Sequence, residues 1–381
     1  MDKAGLYIHL PFCTQKCNYC DFYSIKTNPT TVENFINALI QEIHLYSNHQ
    51  VFSQVKFASI FLGGGTPSLL SSNQLNRIID KLNQTFNFDA DIEFTIEANP
   101  ESLSSNKLKE YLSSGVNRLS IGVQSFADEN LKKLGRSHNV QQAENVIRWA
   151  HEVGFKNISI DLIFAIPGQT QTQWEANLNR AIELNPNHIS TYGLTIAPGT
   201  VLEKRIKSGL EKCQEEETER QMYLSTINIF SEQGYNQYEI SNFAKPGFEC
   251  LHNEMYWNFS PYLSLGPSAH SYWENRRQWN VSNVDKYFES IKNGEKPIAE
   301  FENLTLEQKQ LEFIFLSLRR SSGIDIDKFY QLFKTSFLEK YKSSIKKLES
   351  YQGDSLFTFE DNRFKLTSEG FVLYNEVCGL F

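Results

Sequence analysis

The chain has 381 residues, with 37 basic and 45 acidic side chains, a formal charge of −8 and 40% hydrophobic residues. That composition suits two or three globular domains with a core large enough to fold unaided, and excludes disorder and small disulfide scaffolds. With no block of Lys or Arg and no apolar run near ~18 residues, it argues against an extended nucleic-acid footprint and against a membrane span.

Short apolar runs alternate with amphipathic stretches through the first two thirds of the chain, which predicts repeated strand–helix units. Strands are expected at residues 6–10, 59–62, 92–96, 118–123, 157–163 and 188–194. Helices are expected between them, at 32–46, 73–85, 106–113, 140–153 and 172–183, with a sixth at 215–232. Ser71 with Gln74 three residues on fits a capping box for the second helix. Six such units imply a parallel sheet with right-handed crossovers, either open or a barrel. The pattern divides the chain into residues 1–235, an irregular aromatic-rich connecting segment at 236–300, and a helical unit with a wing at 301–381. In that last unit helices are expected at 305–318 and 326–350, and a hairpin around Glu360-Asp361-Asn362. Residues 1–10 lack the basic region, apolar run and cleavage site of a leader, so a cytoplasmic location is expected.

Six cysteines divide into a crowded group, Cys13, Cys17 and Cys20, and three scattered ones, Cys213, Cys250 and Cys378. The crowded three form C-x3-C-x2-C directly after the first strand, where reduced thiols suit a soft metal centre better than disulfides. Zinc in a closed site needs a fourth ligand, which a histidine would have to supply. An iron–sulfur cubane held by three thiolates instead leaves one iron open to a small molecule.

The segment Cys13-Thr14-Gln15-Lys16-Cys17-Asn18-Tyr19-Cys20, with an aromatic before its third cysteine, resembles the cluster motif of the radical S-adenosylmethionine (SAM) superfamily. The resemblance implies a [4Fe-4S] cluster on Cys13, Cys17 and Cys20 whose open iron chelates SAM. It also implies reductive cleavage of SAM to a 5′-deoxyadenosyl radical, with an electron donor such as flavodoxin or ferredoxin.

Ligands of parallel α/β sheets sit beyond the carboxyl ends of the strands, and those ends are polar and glycine-rich here. Gly63-Gly64-Gly65-Thr66 allows close backbone approach, Glu97 and Gln124 suit ribose hydroxyls and an amino acid moiety, and Arg136 suits a carboxylate. Singly, Glu97 is equally a cap partner, Arg136 a surface ion pair and Asp161 a core hydrogen-bonder. Together these positions resemble the SAM pocket of the oxygen-independent coproporphyrinogen III oxidase group of porphyrin biosynthesis, in which Tyr7, Gly64, Gly65, Thr66, Glu97, Gln124, Arg136 and Asp161 match. That resemblance implies an α/β fold: a partial (β/α)6 radical SAM barrel with a smaller, mainly helical, winged-helix-like C-terminal domain.

The oxidases carry a fourth cysteine two residues after the third, where this chain has Phe22, here placed with the cofactor-binding positions. This departure and the short N-terminus resemble the haem chaperone branch of the same group. A second mark of that branch is His252-Asn253-Glu254-Met255-Tyr256-Trp257, an H-N-x-x-Y-W motif; seven of the 24 residues from Tyr256 to Trp279 are aromatic. Imidazole is a common haem-iron ligand and flat rings line macrocycles, so haem is expected at His252, Tyr256 and Trp257, with Cys250, Met255 and His270 as rival iron ligands. The branch implies delivery of haem to an acceptor protein, a respiratory one among the candidates, with at most peripheral membrane contact. The alternative is oxidation of coproporphyrinogen III by a SAM-derived radical, which the missing fourth cysteine disfavours.

Overall fold

The computed structural model describes residues 3–47, 52, 55–353 and 355–381. All six expected strands are present: β1 (Ala4–Leu10), β2 (Lys56–Gly64), β3 (Asn87–Ala98), β4 (Arg118–Gln124), β5 (Asn157–Phe164) and β6 (His188–Gly193). They pair in parallel in chain order, and the connecting helices pack their apolar stripes against the sheet's outer face. The helix at Val140–Val153 matches its expected bounds, and Ser71 with Gln74 closes the expected capping box at Ser72–Thr85. The same reciprocal cap starts three further helices, at Asn139, Thr170 and Thr305. Each such cap satisfies otherwise orphaned helix N–H groups, worth roughly 1 kcal/mol.

The segment expected to be irregular instead carries six short strands and two helices, Leu251–Trp257 and Val284–Lys292. It adds β7 (Asn236–Glu239), β8 (Asn242–Ala244), β9 (Tyr262–Leu265), β10 (His270–Trp273), β11 (Arg276–Asn280) and β12 (Ile298–Asn303). The complete order is β12-β11-β10-β9-β1-β2-β3-β4-β5-β6-β8-β7, a twelve-stranded sheet. β9 runs parallel to β1, and the additions beyond it and beyond β6 are antiparallel. These strands are only three to six residues long and are separated by turns, so no window long enough for alternation reveals them.

Register decides what faces inward. Glu97 stands opposite Ser120, Gly122 opposite Asp161 and Asp161 opposite Ser190, so one face of the sheet carries the polar side chains. The short helix Leu251–Trp257 packs against that face: the Glu93 carboxylate accepts the backbone N–H groups of Leu251 and His252 at 3.0 and 3.1 Å. A carboxylate at that end also complements the helix dipole.

The C-terminal unit forms around Phe313, Phe329, Phe337 and Phe364. Its expected hairpin is present at Phe357–Glu360 and Arg363–Leu366, turning through Asp361 and Asn362, both with positive φ. The stretch 326–350 is broken into Ile326–Phe333, Phe337–Lys340 and Lys342–Glu349, because Lys334 adopts a left-handed conformation (φ 51°) that ends the first helix. Ion pairs Arg320–Glu254, Arg220–Glu369 and Arg277–Glu312 join this unit to the rest.

Candidate functional site

Two clefts open side by side. The first, about 400 Å³, lies over the carboxyl ends of the parallel strands and is lined by all three crowded cysteines and by Gly64, Gly65 and Thr66. Glu97, Gln124, Arg136, Asp161 and Phe22 line it too, so the structure brings together every expected SAM position but one. Tyr7 is the exception: it lines the second cleft, with its hydroxyl 3.2 Å from His9 Nδ1.

The cysteine loop is tied to the sheet by a chain of hydrogen bonds. Thr66 Oγ1 donates to Cys13 Sγ at 3.6 Å and accepts from Asn99 Nδ2 at 3.1 Å. Arg136 Nη2 donates to Asn99 Oδ1 at 2.6 Å, and its Nη1 to Cys17 Sγ at 3.3 Å. Arg136 is thus no surface ion pair; its guanidinium bridges the strand ends and Cys17. Asn99 and Tyr192, which also line this cleft, were not among the expected site residues. Asn99 does follow Glu97 by two residues, the same-face spacing of a strand.

Backbone shape serves the same cleft. A Cβ on Gly65 would sit 2.6 Å from the Phe12 carbonyl and 2.8 Å from that of Leu10, so only glycine lets the loop pass there. Gln124 ends β4 at φ 66°, a left-handed conformation that costs a non-glycine residue strain and that collects at functional sites. The Glu97 carboxylate accepts the Gly64 N–H at 3.1 Å. Desolvation, then the neighbouring Asp161 charge, pushes its pKa up to about 8. Asp161 is raised by desolvation as well. Two recessed carboxyls this close favour a ligand that brings a cation or hydroxyl donors.

The second cleft, about 550 Å³, shares Asp21 and Phe22 with the first, so these two residues form a ridge between them. Phe22 is 64% exposed. The wall is aromatic: Tyr256 meets Tyr262 edge-on at 4.5 Å, and Phe259 lies 4.9 Å from Tyr272. Tyr256 and Trp257 of the H-N-x-x-Y-W motif line it, but His252 does not; it lies behind them, 1% exposed. Its Nδ1 is 2.8 Å from Ser59 Oγ and its Nε2 is 2.9 Å from the Tyr256 hydroxyl, with the ring stacked on Phe61. Desolvation, then the Arg118 charge, pushes its pKa down to about 3, so the ring is neutral. In this arrangement both imidazole nitrogens are engaged, and His252 reaches the cleft only through Tyr256. Cys250 is fully buried and Met255 nearly so, and Met255 Sδ accepts from Ser59 at 3.5 Å. His270 does line the cleft.

A strand-ordered sheet with a three-cysteine loop at its carboxyl edge defines the class. Residues 7–181 match the radical SAM superfamily and residues 304–373 match the HemN C-terminal domain; this is a radical SAM protein. Coproporphyrinogen III oxidase (HemN) from Escherichia coli, a radical SAM enzyme, has the same fold: TM-score 0.86 and 25% identity over 100% of this chain and 90% of that one. More specifically, the chain belongs to the heme chaperone HemW family. It is 38% identical to heme chaperone HemW of Bacillus subtilis over 98% of each chain. It is 37% identical to that of Lactococcus lactis, over 98% of this chain and 96% of that one. The match to the Escherichia coli HemW is also 37%, over 71% and 70%.

The family implies a [4Fe-4S] cluster and SAM, and the donor set fits a three-thiolate cluster. All three cysteines are free and line one cleft, and hydrogen-bond donors point at two of the sulfurs. Among the described residues no three His, Cys, Asp or Glu side chains close on a single-ion site. A cubane is wider than one ion and takes each thiolate on a separate iron, whereas the zinc alternative needs four converging ligands. Among the described residues no helix is long and apolar enough to cross a membrane.

Proposed function

We propose that this chain is a haem chaperone that holds a [4Fe-4S] cluster on Cys13, Cys17 and Cys20, SAM in the polar cleft and haem in the aromatic cleft, and passes haem to an acceptor protein. The observation that carries this reading is adjacency: a polar cleft beside the three cysteines and an aromatic cleft of tetrapyrrole size meet at Asp21 and Phe22. When bound, the cluster supplies an open iron and an electron to SAM. The chain's own part is placement. Arg136 holds Cys17 and Asn99 in fixed relation, the Gly64–Gly65 backbone admits a ligand closely, and Glu97 with Asp161 receive its cationic or hydroxyl groups. On the other side Tyr256 and Trp257 offer ring faces to a macrocycle, while His252 orients Tyr256 from behind. A cytoplasmic site of action, a flavodoxin- or ferredoxin-type electron donor and a respiratory acceptor belong to the same proposal.

The likeness to HemN over the whole chain supports the alternative, oxidation of coproporphyrinogen III. Against it, the position of the fourth cysteine holds Phe22, whose exposed ring offers no ligand atom. Titrating haem into the cluster-reconstituted chain and then adding an apo haem protein tests the chaperone reading. It predicts a stoichiometric Soret shift followed by transfer of the band to the acceptor. Haem that binds only non-stoichiometrically, or is never released, contradicts it.

A further inference from the structure

Three histidines border the aromatic cleft or stand behind its wall, and one of them has nitrogens to offer. His9 places Nδ1 3.2 Å from the Tyr7 hydroxyl and Nε2 3.0 Å from the Tyr23 carbonyl. His252 is engaged at both nitrogens by Ser59 and Tyr256. The His270 side chain makes no hydrogen bond, alone among those of the described histidines: His44, His138, His151 and His188 are all bonded through their rings. It is nevertheless held in place, on a β10–β11 ladder with its ring stacked on Trp279 at 5.8 Å and 25°. Desolvation and the Arg277 charge lower its pKa, so it presents a neutral imidazole, the form that binds iron.

The register supplies a second group. His270 pairs with Trp279 and Tyr272 with Arg277 across the ladder, so the four side chains share one face. Arg277 therefore stands two residues along the sheet from His270, ~7 Å of strand, a span comparable with that from the centre of a macrocycle to its edge. Arg277 Nη2 is paired with Glu312 Oε1 at 2.7 Å, and both residues line the cleft. The other Glu312 oxygen is buried and has no hydrogen-bond partner among the described residues.

We propose that His270 is the iron ligand for haem in this cleft and that Arg277 binds a haem propionate in exchange for Glu312. The inference rests on the haem reading above. A propionate on the guanidinium makes the same charge-assisted contact that Glu312 makes in the open cleft, so the two carboxylates compete for one partner. Glu312 lies on the helix Leu306–Leu318, within the C-terminal domain, so loading the cleft releases one of the ion pairs that hold that domain. An acceptor that restores the Arg277–Glu312 pair favours release, by reciprocity of coupled equilibria.

The test is haem titration of the full chain with its cluster reconstituted, followed at the Soret band, with unchanged iron–sulfur absorbance in each variant as the check on folding. His270→Ala is expected to weaken haem by at least ~10-fold and to shift the ferric haem bands. Arg277→Gln is expected to weaken haem but not haem dimethyl ester, whose carboxylates are blocked, and Glu312→Gln to tighten haem by removing its competitor. His252→Ala, which frees the Tyr256 hydroxyl, is expected to weaken haem but to keep the band positions of the unsubstituted chain, because the iron ligand is untouched. Loss of those bands in His252→Ala with their retention in His270→Ala would overturn the assignment, as would equal weakening of haem and ester by Arg277→Gln. If the unsubstituted chain binds no haem, the haem reading itself falls and takes this inference with it.

Discussion

The polar cleft takes its side chains from the carboxyl ends of parallel strands, whereas the aromatic cleft takes most of its own from β9 to β11, each antiparallel to the next, and the helix Leu251–Trp257, with Tyr7 and His9 of β1 beside them. The first is dominated by polar groups: a guanidinium, two recessed carboxyls and three thiols line it, and Cys13, Thr66, Asn99, Arg136 and Cys17 form one hydrogen-bonded chain. The second is dominated by ring faces, with a single charged pair, Arg277–Glu312, at its wall. The difference teaches that the two clefts have separate linings and share only Asp21 and Phe22. Damage on one side is therefore expected to leave equilibrium binding on the other largely intact.

The largest expected effect is Cys17→Ala, which removes one of the three cysteines proposed to hold the cluster and the acceptor of Arg136. Iron–sulfur absorbance is expected to disappear while haem still produces its Soret shift; loss of both would merge the two clefts into one site. Next is Gly65→Ala, where the added carbon meets backbone oxygens at 2.6 and 2.8 Å. Displacing that backbone is expected to cost about 1–3 kcal/mol, seen as a lower Tm and poorer cluster retention, and an unchanged Tm would deny the close approach. Arg136→Gln keeps a hydrogen-bonding group but not the charge, and is expected to weaken SAM by ~10-fold, about 1.4 kcal/mol, with haem affinity unmoved. Calorimetry with each ligand separates the two.

A further effect is on pH. Burial pushes Glu42 up to about 7 and desolvation pushes Glu97 up to about 8, so the folded chain keeps protons that unfolded carboxyls release near 4.5. Their contribution to stability is complete below that value and is lost as pH rises through 7 and 8, by at most about 1.4 kcal/mol per pH unit for one proton. His9, His188, His252 and His270 are lowered and act in the opposite direction, but only below their ordinary pKa of 6.5. The Tm of the ligand-free chain is therefore expected to fall between about pH 6.5 and 8, less steeply in Glu97→Gln, and a flat or rising curve would contradict the burial of these carboxyls.

What was legible in the sequence follows the same division. The polar cleft could be read because its residues end strands long enough to show alternation, and the C-x3-C-x2-C spacing is local. Tyr7 lies inside β1 rather than at its end, and so lines the neighbouring cleft. The aromatic cleft was visible only as composition. Which of its rings face inward depends on the pairing of Tyr262 with Tyr272 and of Tyr272 with Arg277, a long-range register with no local pattern. The burial of His252 likewise depends on Ser59, 193 residues away in the chain.

The most direct test of the central claim is an anaerobic incubation of the cluster-reconstituted chain with SAM, a reductant and coproporphyrinogen III, with protoporphyrin read by fluorescence and haem binding followed on the same preparation. The account predicts haem bound one to one and no protoporphyrin. Robust protoporphyrin formation would mean that the missing fourth cysteine is dispensable, and an oxidase would replace the chaperone described above.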